Sequence, residues 1–353
     1  MRSALLLRRL PRSALLPALL LVLLPALRPI VAQPTTGPAA AAPAQPSSGT
    51  NGSPPSVLIL VGAPGDAALS TNFTRQARRW EEAAQRAGAE TRLLGLGPTN
   101  AVPDRDQLRE ALAGAAAGTA PLWLVLLGHG TFDGREARFN LRGPDVTATD
   151  LGGWLQPLRR PVLCLNTASA SAPFLKAVAG TNRVVITATR SGSEQNLTRL
   201  GSYLAEAIGQ PEADLDQDGQ TSALEAFLHA SAQVAEFYKS DGRLATEHPL
   251  LDDNGDGLGT PADWFRGIRA TRKPANAAAL DGLQAHQFHL IAAPAERSLS
   301  PAALARRDAL ERDLAALRER KATLPEDEYY RQVEQRLLEL ARVLGVTTAP
   351  PAP

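Results

Sequence analysis

Short apolar runs alternate with amphipathic stretches between residues 56 and 209. "SVLILVGA" (56–63) is apolar along its length, as a strand covered on both faces must be. "FTRQARRWEEAAQRAG" (73–88) follows with helical spacing and puts Trp80, Ala84 and Ala87 on one side. The alternation continues with strands "ETRLLGLG" (90–97), "PLWLVLLGHG" (121–130), "RPVLCLNT" (160–167) and "NRVVITATRSG" (182–192). Helices "RDQLREALAGAAAG" (105–118), "APFLKAVAG" (172–180) and "GSYLAEAIG" (201–209) fall between and after them. This pattern predicts an α/β fold, a mostly parallel sheet with helices on both faces, and "AHQFHLIAA" (285–293) reads as a last strand. In such sheets the chemistry gathers beyond the carboxyl ends of the strands. His129, residues 166–171 and residues 190–194 fall there.

Both ends of the chain change character. Ser300 caps and Pro301 opens a helix with Leu310, Leu314 and Leu317 in a stripe. Beyond "TLPEDE", Tyr330, Val333, Leu337, Leu340 and Leu344 recur at three-four spacing. Residues 300–345 therefore read as a helical hairpin or short coiled coil, a packing or self-association element, with 346–353 as a tail. At the start, Arg2, Arg8, Arg9 and Arg12 precede the apolar stretch 14–27, and "IVAQ" offers small-residue cleavage after Ala32. Residues 1–32 thus read as an export signal, too short in apolar length for a span of about 20 residues. The Pro-, Ala- and Ser-rich stretch 33–55 reads as a flexible tether, and the expected location is periplasmic or secreted.

Composition narrows the partners. With 37 Lys and Arg against 36 Asp and Glu, a net charge of +1 provides no field for nucleic acid. The expected partner is a peptide or protein. The single cysteine, Cys164, precludes an intrachain disulfide, so packing or metal must stabilise an exported chain. Inside "VLCLN" it reads as a core residue.

Two strand ends carry candidate chemistry. His129 stands between Gly128 and Gly130, and the glycines leave room for a close backbone approach. The next apolar strand ends in "NTASASAPF", a run of tiny residues. Together these resemble the caspase and legumain clan of cysteine peptidases, nearest its legumain-like bacterial members, over residues 56–293. That pattern has a strand ending in His-Gly, then one ending in Ala-Cys-x-Ser-Gly with an apolar residue soon after. Gly128, His129 and Gly130 match the first motif, and Ala168, Ser171 and Phe174 match the second. Ser169 stands where the family has its nucleophilic cysteine. The resemblance implies a caspase-like three-layer sandwich, with His129 as base and the amides of Gly130 and Ser169 as an oxyanion hole. It also implies a pocket lined by Arg190, Ser191 and Glu194.

The departure at Ser169 leaves two readings open. A cysteine can ionise before substrate arrives, whereas a serine proton must leave during attack, into a base that a third group orients. Asp133 and Asp145 are the candidates for that group. The chain is then either a hydrolase using a His129–Ser169 pair or a retired peptidase site acting as a peptide- or protein-binding scaffold, and the alcohol's handicap favours the second.

Two acidic loops suggest calcium. "DLDQDGQTSALE" (214–225) places Asp214, Asp216 and Asp218 at positions one, three and five of a calcium loop, with Gly219 at the turn. Gln220 supplies a carbonyl and Glu225 the carboxylate at position twelve. "DDNGDGLGTPAD" (252–263) repeats the idea more loosely with Asp252, Asn254, Asp256 and Asp263. Plain Asp/Asn/Gly turns are the alternative for both loops. His286 and His289, three apart in the expected last strand, should face opposite ways, and His248 should lie near the second loop in a structural role.

Overall fold

A computed structural model describes residues 54–98, 102–277 and 279–345. The expected export signal, the expected tail and all but the last two residues of the expected tether lie outside them. The chain runs β1 (Ser56–Val61), α1 (Ala67–Arg86), β2 (Glu90–Leu94), α2 (Asp104–Ala115) and β3 (Leu122–Leu127). A short antiparallel trio follows, β4 (Gly130–Phe132), β5 (Ala137–Phe139) and β6 (Val146–Thr147). Then come α3 (Ala148–Leu155), β7 (Val162–Asn166), α4 (Ala172–Val178), β8 (Arg183–Thr187), α5 (Leu200–Ala207) and α6 (Ala223–Ser240). The remainder comprises β9 (Leu250–Asp252), β10 (Thr260–Pro261), the ribbon β11 (Phe265–Arg266) and β12 (Arg269–Ala270), and the short helices α7 (Leu283–His286) and α8 (Pro294–Arg297). The hairpin α9 (Pro301–Glu319) and α10 (Glu326–Val343) ends the described chain.

A seven-stranded sheet has the order β10-β9-β8-β7-β3-β1-β2, parallel from β8 to β2 and antiparallel at β9 and β10. Successive side chains of a strand point to opposite faces, so each apolar run feeds two cores. Val57, Ile59, Trp123 and Val125 join Trp80 of α1, Leu204 of α5 and Phe227 of α6 on one face. Leu58, Leu60, Leu124 and Leu126 meet Leu108 of α2, Leu151 of α3 and Phe174 of α4 on the other. The expected α/β class, a mostly parallel sheet with helices on both faces, is what forms. No helix among the described residues is long and apolar enough to cross a membrane.

Two local expectations fail. Helix α1 begins six residues before Phe73, because the Asp66 side chain accepts the Leu69 amide at 2.8 Å and caps it there. Residues 285–293 form no strand beyond an isolated bridge between Ser222 and His289. The buried Asp253 carboxylate accepts the amides of Gly282 and Ala285 and so seats the helical turn α7. With the strand gone, His286 and His289 stand ring to ring at 6.2 Å instead of on opposite faces.

Candidate functional site

The parallel order β3-β7-β8 sets three loops side by side at one edge of the sheet: 128–130, 167–171 and 188–199. Packing explains the glycines around His129. A Cβ on Gly130 would lie 2.2 Å from the Ser169 carbonyl oxygen, and one on Gly128 would touch Phe139 at 3.0 Å. Neither glycine has a positive φ, so space and not backbone freedom selects them. The imidazole of His129 is half-buried, its ring set edge-on to Phe73 of α1 at 5.3 Å.

Ser169 is only 2% exposed. Its hydroxyl donates to the Gly130 carbonyl at 3.0 Å and accepts from the Gly130 amide at 3.1 Å. These two bonds hold Ser169 against the main chain of Gly130, the residue after His129. Both the hydroxyl and the amide expected in an oxyanion hole are spent on each other. Asp133 and Asp145 are also committed. Asp133 takes the amides of Arg135 and Glu136 and the Arg138 guanidinium, and these donors hold its carboxyl well below the usual carboxylate range. Asp145 accepts the Leu141 amide. Among the described residues no protein group hydrogen-bonds the His129 ring.

The rest of the small-residue run is a connector. Ala170 takes a left-handed φ of 51°, unusual for a residue with a Cβ, and its amide donates to the Glu194 carbonyl at 2.7 Å. The fully buried Ser171 hydroxyl accepts the amides of Ala188 and Thr189, tying the exit of β7 to that of β8. Cys164 is fully buried in β7, and burial pushes its thiol up to about 12, which leaves no thiolate at neutral pH.

The residues expected to line a pocket, Arg190, Ser191 and Glu194, bond within their own loop and line neither the cavity by Tyr238 nor the one by Gly62. Glu194 accepts the Arg190 amide and meets its guanidinium at 3.3 Å, while the Ser191 and Ser193 hydroxyls bond at 2.7 Å. Sequence reasoning missed the strongest contact: His248 Nδ1 lies 2.6 Å from Glu194 Oε1. The two residues are 54 apart in the chain, so no spacing announces the pair. Beside it, the buried Glu247 accepts the amides of Arg199 and Leu200 at the start of α5, and burial raises its carboxyl to about 7. A cavity of about 260 Å³ opens there, lined by Asn196, Leu197, Arg199, Phe237, Tyr238, Arg243 and Thr246. A second of about 120 Å³ lies by Gly62 and Arg142. Neither is lined by His129 or Ser169.

The acidic loops differ from one another. Ligand oxygens of Asp214, Asp216 and Asp218 lie within 4.8 Å of one another, and Gly219 turns with φ of 89°. Burial first, then the charges of Glu225 and Asp218, raises the Asp216 carboxyl. Glu225 lies under the loop, accepting the Leu215 and Asp216 amides, and completes a capping box with Ser222 at the start of α6. The Gln220 side chain reaches Asp218 and accepts the Ala293 amide. In the second loop, Asp252 gives both oxygens to the amides of Gly255 and Gly257, and Asn254 accepts the Asp256 amide. Asp263 falls in a separate helical turn, 262–264. Among the described residues only the first loop gathers three carboxylates as a metal-type group.

No family model matches the chain, and no curated protein does. Among solved structures it is similar to caspase-1 from Spodoptera frugiperda, with 10% identity and a TM-score of 0.38 over 58% of this chain and 89% of that one. It is also similar to the Drosophila initiator caspase Dronc, with 12% identity and a TM-score of 0.36 over 60% of this chain and 84% of that one. The α/β class rests on strand order and pairing, not on this likeness.

Proposed function

We propose that the chain is an exported, peptidase-fold scaffold whose His129–Ser169 site is retired and whose strand-end crevice binds a peptide or protein. One observation carries the reading: the Ser169 hydroxyl is buried and bonded on both sides to the main chain of Gly130. A serine nucleophile needs its proton within reach of an oriented base and an open donor pair for the oxyanion. Here the donor is occupied, and Asp133 and Asp145 face their own turns.

Export rests on the N-terminal sequence pattern. Calcium enters the reading at 214–225, where three carboxylates gather within 4.8 Å and burial, then the charges of Glu225 and Asp218, raises the Asp216 carboxyl; a cation relieves both costs. Sites of this kind bind at about 10⁻⁴–10⁻³ M. Calcium at about 10 mM then stabilises the fold by about 1–3 kcal/mol. Thermal melts with calcium and with magnesium, on the wild type and on Asp214→Asn, check this; equal shifts in both proteins remove calcium from the reading.

The central test is a peptide-library assay on wild type, Ser169→Ala and Ser169→Cys. The scaffold reading expects silence from the wild type and from the alanine variant, with peptides still retained on immobilised protein. Turnover that Ser169→Ala abolishes would establish the alternative, an active His129–Ser169 hydrolase.

A further inference from the structure

Among the described residues, α10 leaves an apolar strip about half exposed. On one side of α10, Tyr329 is buried and Val333 and Leu340 are half-buried, where Glu339 and Arg336 reach Arg306 and Asp313 of α9. Next to that side run Tyr330, Leu337 and Leu344, which are 51%, 47% and 43% exposed. The first three recur every seven residues, the period with which one helix presents a constant stripe to another. On a helix they deviate from a straight line by about 20° per repeat. Isolated exposed leucines are ordinary, but an exposed tyrosine and two exposed leucines at this spacing are not; among the described residues Lys321 reaches the Tyr330 ring and hydroxyl and leaves the three side chains about half exposed.

We infer that this strip is the seat of a second copy of the same chain, its α10 lying antiparallel across a twofold axis at Leu337. The spacing supports it: Tyr330 and Leu344 are equidistant from Leu337, so one rotation sets Leu337 against itself and Tyr330 against Leu344 of the second copy. An isologous contact demands such self-complementarity. Charge selects the direction. The first turn of α10 carries Glu326, Asp327 and Glu328 with no base, and its last turn carries Arg342. Antiparallel pairing turns the acidic first turn of each helix toward the end of the other that carries Arg342. It also opposes the two helix dipoles. Parallel pairing would instead stack three carboxylates on three. The contact lies outside the crevice and stands whether or not the scaffold reading does.

Disulfide trapping of the full chain tests this, because the native cysteine is buried and silent. Under mild oxidation Leu337→Cys is expected to form a covalent dimer. Tyr330→Cys and Leu344→Cys each stay monomeric, since 14 residues of helix hold equivalent positions about 21 Å from the axis partner they would need. The double variant Tyr330→Cys/Leu344→Cys links. Sedimentation of the wild type should give twice the chain mass, and Leu337→Arg, at an exposed position, should halve it. Linkage of all three single variants would mean a parallel pair and would overturn the proposal. So would a monomeric wild type whose Leu337→Cys form fails to link, the result expected if another segment of the chain covers the strip.

Discussion

Ser169, which the family resemblance sets at the place of a nucleophile, makes the contacts of a structural residue. Its hydroxyl joins the loop after β7 to the first residue of β4, and Ser171, two residues on, joins it to β8. Both are buried, so losing either strands main-chain groups away from water. Ser169→Ala is expected to destabilise the fold by about 1–3 kcal/mol in denaturant titrations, because it leaves the Gly130 amide and carbonyl unpaired. A fully catalytic, loosely held serine would show almost no loss, so a cost near zero would count against the locked geometry. Gly130→Ala attacks the same contact from the other side. Its Cβ would sit 2.2 Å from backbone, which cannot swing away as a side chain tip can, and overpacking of this kind costs about 1–3 kcal/mol. Alanine tolerated at 130 without loss would mean that the two loops do not touch in solution.

At the scale of elements, the loop between α6 and β9 holds the site's surroundings through two consecutive residues. Glu247 caps the start of α5, and His248 grips Glu194 in the loop after β8. Burial lifts the Glu247 carboxyl from 4.5 to about 7 despite its amide donors. The folded chain therefore binds a proton more tightly than the unfolded chain. Stability from this group is fully present below pH 4.5 and is lost as pH rises through 7, by on the order of 3 kcal/mol. Asp252 and Asp281, raised chiefly by burial to about 6 and about 7, act in the same direction. The buried His289, lowered from 6.5 to about 3, acts in the opposite direction below pH 6.5, so denaturant midpoints are expected to fall between about pH 6.5 and pH 8, with a shallower fall in Glu247→Gln. Parallel slopes for variant and wild type would show that Glu247 does not titrate in this window.

At the scale of the whole molecule, legibility follows the range of the interactions. The strands β1, β3, β7 and β8 were readable because each is an unbroken apolar run, and a sheet covered on both faces dictates that run locally. The convergence of 128–130, 167–171 and 188–199 was readable from the parallel order. The hydrogen-bond state of Ser169, the Glu194–His248 pair and the displacement of the last strand by Asp253 were not, since each depends on partners 28 to 54 residues away that no period encodes. The C-terminal hairpin marks a further boundary. Leu310, Leu314 and Leu317 are buried, yet they belong to neither of the two cores that cover the sheet. Polar ties connect α9 to the body, among them Gln287 with Asp308 and Glu311, and Arg307 with Glu296. The Gln287 ties are partly exposed and contribute about 0–1 kcal/mol each, while the Arg307–Glu296 pair is largely buried at the seam, where removal of the whole hairpin returns Glu296 to water. Ending the chain at residue 299 should therefore leave the sheet, the crevice and the amide-exchange protection of β3 and β7 intact, with a melting temperature lower by only a few degrees. A truncated chain that loses protection in β3 would show instead that the hairpin is part of the α/β core and that the two cores are not closed without it.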